Sequence, residues 1–263
     1  MRVAAVQFDI AWEDKPANHA IVEKVLDDAA VQPGTFVLLP ELGDTGFSLN
    51  VEAIVDERSL TWARDLARRR RIFLQHGFPE RGPDGKGRNC AAIIGPDGSL
   101  LGRYHKVHPF SFGRESQHYS GGDWLLLRRC GEAIVCPLIC YDLRFPELWR
   151  HAALAGAEVF SIGASWPAPR QQHWRSLLIA RAIENQAYVV AVNRIGNDPH
   201  LAYSGGGIIL SPKGEVLAEA DTAPTVLQAD LDLPALRSWR GEFPALSDIH
   251  RVLLGAVRID AEF

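Results

Sequence analysis

The chain has 263 residues, 47% of them hydrophobic, enough to bury a large core in one α/β domain as easily as in two small ones. A formal charge of -4 gives no basic field for nucleic acid, and the one dense basic run, at 64–71, falls on a helical period and reads as a solvated face. There is no leader pattern and no apolar stretch long enough for a membrane span, and four cysteines without a signal peptide fit a reducing compartment. The expectation is a soluble cytoplasmic protein without disulfides.

In chain order, alternation predicts a strand over 2–10, and helical spacing over 18–31 puts Ile21, Val25 and Leu26 on one face, closed by Pro33 and Gly34. A wholly apolar strand at 35–42 ends in Glu41, and the C-terminal end of a buried strand is where α/β folds place chemistry. A helix at 59–71 and a strand at 72–80 follow. Pro-Asp-Gly occurs at 83–85 and again at 96–98, each time between strand-like runs, which predicts two hairpins.

The second half repeats this order: a strand at 132–139, a helix at 145–157, a strand at 158–166, a helix at 171–186, a strand at 187–196, and a hairpin turning at Pro212, Lys213 and Gly214. Each half is a sheet with helices on one face only. Packing the two bare faces together gives a four-layer α-β-β-α sandwich. No linker or composition shift divides it, so residues 1–263 read as one domain. The unrepeated tail, 234–263, is expected to pack at a dimer interface.

Cys136 and Cys140 stand four residues apart, but neither Cys90 nor Cys130 completes a zinc-type pairing with them. An unpaired cysteine is usually a small buried hydrophobe. Cys140 differs because it ends a strand, as do Glu41 and Lys106. A carboxylate beside a thiol can act as its base, and a lysine beside both can hold a developing oxyanion, so the three suit acyl transfer from an amide. A thiol hydrolase of another fold would need a histidine base. His105 and His108 flank Lys106 but fall on alternating faces of a strand.

These residues resemble the nitrilase superfamily. LLPELGDTGFS is similar to its glutamate motif, GRYHKVHPF to its lysine motif and PLICYDLRFPEL to its cysteine motif, in that family's order. The resemblance implies the αββα fold, hydrolysis of a carbon-nitrogen bond through a thioester at Cys140, a dimer or higher homo-oligomer, and neither metal nor organic cofactor. It makes Glu41 the general base, and Lys106 the oxyanion partner together with a backbone N–H near Tyr141. Glu115 becomes the second glutamate that supports Lys106. A catalytically silent binding protein on the same fold is the different-class alternative, and the presence of Glu41, Lys106 and Cys140 together argues against it.

Within that superfamily, CYDLRFPE with the segment at 165–196 looks most like the omega-amidases, which act on small carboxylate-bearing amides such as 2-oxoglutaramate and 2-oxosuccinamate. Amidases of deaminated glutathione share the RFPE signature, and N-carbamoyl hydrolases are a further alternative. A pocket for a short anionic amide needs aromatic walls and a cation. Phe47, Phe112, Tyr119 and Trp166 are the candidate walls, and Arg114 or Arg170 the candidate cation. Arg144 has two readings, a buried pair with Asp142 or with a carboxylate in the core that orders the turn after the thiol, or a clamp for the substrate's carboxylate.

Overall fold

A computed structural model describes residues 1–263. The first half runs β1 (Arg2–Gln7), α1 (Lys15–Asp28), β2 (Phe36–Leu38), α2 (Val51–Ile54), α3 (Arg58–Arg70), β3 (Phe73–Arg81), β4 (Gly87–Ile94) and β5 (Leu100–His105). The second begins with α4 (Glu115–His118), β6 (Trp124–Cys130), β7 (Ala133–Ile139), α5 (Pro146–Leu154), β8 (Val159–Ala164), α6 (Gln171–Asn185) and β9 (Tyr188–Asn193). It closes with β10 (Ile195–Asn197), β11 (Ala202–Ser204), β12 (Ile208–Leu210), β13 (Val216–Glu219), β14 (Thr225–Asp230), α7 (Leu233–Glu242) and β15 (Arg258–Glu262). No helix is long and apolar enough to cross a membrane.

Two large sheets form, one in the order β14-β1-β2-β3-β4-β5 and the other β13-β12-β9-β8-β7-β6-β15. Period-two alternation decides which faces meet. Val3 and Ala5 of β1, with Phe36 and Leu38 of β2, join the core shared with the second sheet, whereas Ala4, Val6 and Val37 face α1 and α3. Trp149, Ala152, Trp174 and Leu178 of α5 and α6 cover the outer face of the second sheet. The result is the expected four-layer α-β-β-α sandwich.

Local chemistry sets the element ends. α1 starts earlier than its apolar period suggests, because Asp14 caps it by accepting from Ala17 N at 3.0 Å and Pro16 suits the first turn. Its buried face is Asn18, Val22 and Leu26, with Ile21 and Val25 half-buried. β2 is shorter than the apolar run, since Pro40 has no N–H to continue the ladder. The basic run lies on α3 and is paired locally, Arg68 with Asp65, Arg69 with Glu23 and Asp65, and Arg70 with Asp27.

Two strands that the period does not announce complete the sheets, and the first of them ties the halves together. β14 returns to pair antiparallel with β1, and β15 pairs parallel with β6. The tail therefore folds onto its own chain: Leu233 and Leu236 are buried, Arg237 pairs with Glu158 at 2.6 Å, and Arg240 donates to the Gln186 and Ala157 carbonyls.

Candidate active site

Glu41, Lys106, Glu115 and Cys140 are brought together at one end of the sandwich, all buried. Lys106 follows β5, its backbone N–H continuing the ladder to Asn89 O at 2.9 Å. Its Nζ lies 2.7 Å from Glu41 Oε1 and 2.8 Å from Glu115 Oε2. Burial pulls the ammonium's pKa down, but Glu115 and Glu41 outweigh that and hold it well above the usual lysine value.

Two buried carboxylates facing one ammonium leave an excess negative charge, which neutral donors spread. Asn89 Nδ2 donates to Glu41 Oε1 at 2.8 Å and to Glu115 Oε1 at 2.9 Å, Ser165 N to Glu41 Oε2 at 2.9 Å, and Phe110 N to Glu115 Oε2 at 2.5 Å. Burial nonetheless raises the Glu115 pKa, with Lys106 opposing.

Glu41 is fixed by its own backbone. β3 and β8 run against the segment that carries it, and both do so through glycine. A methyl group at Gly163 would stand 2.6 Å from Leu39 O and 3.0 Å from Glu41 N, and one at Gly77 would stand 2.6 Å from Pro40 O. Only residues without a Cβ permit this approach. Gly163→Ala is expected to lower kcat about 100-fold by shifting Glu41 by a fraction of an ångström, with KM little changed, as steady-state kinetics would read.

Cys140 ends β7 and opens a 3-10 turn over Cys140–Arg144 with φ of 43°, a left-handed conformation that costs a side-chain-bearing residue roughly 1–2 kcal/mol. Asp142 holds the turn: its carboxylate accepts from Ile139 N at 3.2 Å, Tyr104 Oη at 2.8 Å and His108 N at 3.1 Å. Burial raises the Cys140 thiol well above an ordinary cysteine, the Glu41 carboxylate adds to this, and Lys106 opposes it. A thiol shifted in this direction needs a base to become a nucleophile.

A small pocket opens over Cys140. Phe47, Phe110, Tyr141, Trp166 and Tyr203 wall it, with Arg144 and Arg170 at the half-buried end. Trp166 is placed by Asn193, which accepts from Trp166 N at 2.7 Å and donates to Trp166 O at 3.0 Å. No histidine lines the pocket; His105 faces Glu80, and His108 faces Asp142.

Of the residues expected here, Phe47, Tyr141, Arg144, Trp166 and Arg170 are brought together, whereas Phe112, Tyr119 and Arg114 are not. Phe112 is 83% exposed, and Phe110, two residues earlier, takes the wall position. Tyr119 is buried beneath the site, its hydroxyl donating to Ser48 O at 2.8 Å. Arg114 is exposed at a left-handed turn before α4. The Arg144–Asp142 pair does not form, because Tyr104, His108 and Ile139 already fill the Asp142 carboxylate. Arg144 instead lies 4.8 Å from the Trp166 ring and has no carboxylate partner.

Comparison with known proteins agrees with this geometry. A carbon-nitrogen hydrolase family model matches residues 2–241. The chain is a carbon-nitrogen hydrolase. It is 34% identical over 258 residues to omega-amidase YafV of Yersinia enterocolitica, covering 97% of this chain and 98% of that protein. It is 32% identical over 255 residues to the 2-oxoglutaramate amidase of Bacillus subtilis, covering 95% and 98%. The crystal structure of XC1258 from Xanthomonas campestris, a CN-hydrolase superfamily protein with an arsenic adduct in its active site, superposes with a TM-score of 0.87 at 30% identity, covering 94% of this hydrolase and 96% of that chain. The hydrolase thus acts on carbon-nitrogen bonds other than peptide bonds, and its relatives place it among the amidases.

Proposed function

We propose that the enzyme hydrolyses the terminal amide of a short substrate carrying a free carboxylate, of the 2-oxoglutaramate and 2-oxosuccinamate class, and releases ammonia. The observation that carries this reading is the pair Arg144 and Arg170, neither with a carboxylate partner, at the outer end of a pocket whose buried end holds the Cys140 thiol. An arginine left without its own anion beside an aromatic wall is suited to take one from a ligand. The names of the Yersinia and Bacillus relatives agree with it.

In the proposed cycle Glu41 takes the thiol proton as sulfur attacks the amide carbon. The oxyanion of the tetrahedral intermediate meets Lys106 and the Tyr141 N–H. Glu41 returns the proton to the nitrogen, the C–N bond breaks, and ammonia leaves a thioester on Cys140. Glu41 then deprotonates a water that attacks the thioester, giving the carboxylic acid and the free thiol. Glu115 and Asn89 keep Lys106 and Glu41 aligned throughout.

The test is ammonia release from 2-oxoglutaramate, 2-oxosuccinamate, deaminated glutathione, an N-carbamoyl amino acid and a simple neutral amide. The two oxo-acid amides are expected to give the highest kcat/KM. Arg144→Met should raise KM for 2-oxoglutaramate by about 10–100-fold, the worth of a charge-assisted hydrogen bond, and leave the neutral amide nearly unaffected. An equal loss on both substrates would mean that Arg144 does not hold the carboxylate.

A further inference from the structure

Around the loop that carries Glu41, three side chains meet that the chemistry above does not use. His19 comes from α1, Asp44 from the loop three residues after Glu41, and His76 from β3. The Nε2 atoms of His19 and His76 each lie 3.4 Å from the same oxygen, Asp44 Oδ2, and one ligand atom from each residue falls within 4.8 Å of the others. Asp44 and His76 are 1% exposed, while His19 stands at the rim of a surface depression that it lines with Lys15, Arg58 and Trp62.

The spacing is informative. A charge-assisted hydrogen bond from imidazole to carboxylate closes to about 2.7–2.9 Å, and neither histidine does so. Two ligand atoms bound at about 2.0–2.1 Å to one tetrahedral ion stand about 3.3 Å apart, close to both observed edges. A second observation points the same way. Nδ1 and Nε2 of buried His76 and Oδ1 of buried Asp44 lack hydrogen-bond partners, a condition folded proteins seldom tolerate. Trp62 lies flat on His19 at 3.9 Å and edge-on to His76 at 5.2 Å, packing against both rings.

We propose that His19, Asp44 and His76 bind one divalent transition-metal cation, for which Zn²⁺ is the best match, with its fourth position turned toward the depression. Two imidazoles and a carboxylate suit zinc. The site is a clip, and none of its three residues lines the pocket over Cys140. It joins α1 and β3 to the Glu41 loop, which is already tied to β3 by the Gly43 N–H on Gly77 O at 2.8 Å. The cysteine spacing gave no hint of it, because no cysteine takes part.

The test uses the full-length Cys140→Ala chain, which removes the thiol beside Glu41 as a competing ligand. Stripped with a chelator, dialysed and titrated by calorimetry, it should bind one Zn²⁺ per chain, with Tm rising by about 5–10 °C at a hundredfold excess over Kd. Co²⁺ should give tetrahedral visible absorption without a sulfur-to-cobalt band. His19→Gln and Asp44→Asn should each weaken Zn²⁺ by more than the roughly 10–100-fold that loss of an outer partner costs. Failure to bind one equivalent, or a sulfur band pointing to the Glu80, Cys90 and His105 cluster, would overturn the site without touching the amidase reading. The cobalt spectrum decides even where a variant fails to fold.

Discussion

Cys140→Ala is expected to lower amide turnover by about 10⁴-fold or more, whereas Cys136→Ala should leave kcat/KM within a few-fold of the parent. Both thiols are buried, and burial raises the pKa of each, so composition and protonation alone do not separate them. Position does. Cys136 lies within β7 in the core between the sheets, whereas Cys140 lies past the strand end, where the left-handed turn brings its sulfur to the pocket and to Glu41. Circular dichroism should show the Cys140→Ala fold unchanged. Mass spectrometry during turnover should find an acyl adduct on the parent and on Cys136→Ala, and none on Cys140→Ala. Turnover that survives loss of Cys140 but not of Cys136 would put the nucleophile on the wrong strand position.

What the sequence discloses and what it hides divide along a physical line. Period-two runs and Pro-Asp-Gly turns are local signals, so the sheets, the hairpins and the strand ends bearing Glu41, Lys106 and Cys140 can be read directly. Pairings between distant segments leave no such trace: β14 against β1 and β15 against β6 depend on which edges remain open after the rest has folded. The same holds within the site. Whether Phe110 or Phe112 walls the pocket is decided by a 3-10 turn over Ser111–Gly113 that alternation cannot register. Asn89 sits in an apolar strand, where its polarity is the one available cue, and only the tertiary contact shows it bridging Glu41 and Glu115. Arg144 two residues after Asp142 suggests a pair that does not form, because donors from distant segments already fill the Asp142 carboxylate. His19, Asp44 and His76 are too widely spaced to form any recognisable motif.

Lys106→Met should lower kcat by about 10²–10³-fold or more, the cost of one oxyanion donor, and also destabilise the fold by about 3–5 kcal/mol near pH 8, because it strands two buried carboxylates. The stability loss carries a pH signature with a definite sign. In the parent, the Lys106 pKa is held above its usual value, so its stabilising contribution is complete below about pH 10.4 and is lost only as pH rises through the higher folded value. In the variant no ammonium opposes burial at Glu115, whose pKa is already raised, and the Glu41 carboxylate beside it pushes it further. A carboxyl group with a raised folded pKa favours the folded state at low pH, and that advantage disappears as pH rises from about 4.3 through the raised value. The gap between parent and variant should therefore widen from pH 5 to pH 8, measured by urea unfolding at each pH. A gap of equal size at both values would mean that the loss comes from packing around the lysine stem and not from the stranded charges. Activity retained in a folded variant would remove Lys106 from the oxyanion role and leave it only the task of holding Glu41 and Glu115 in place.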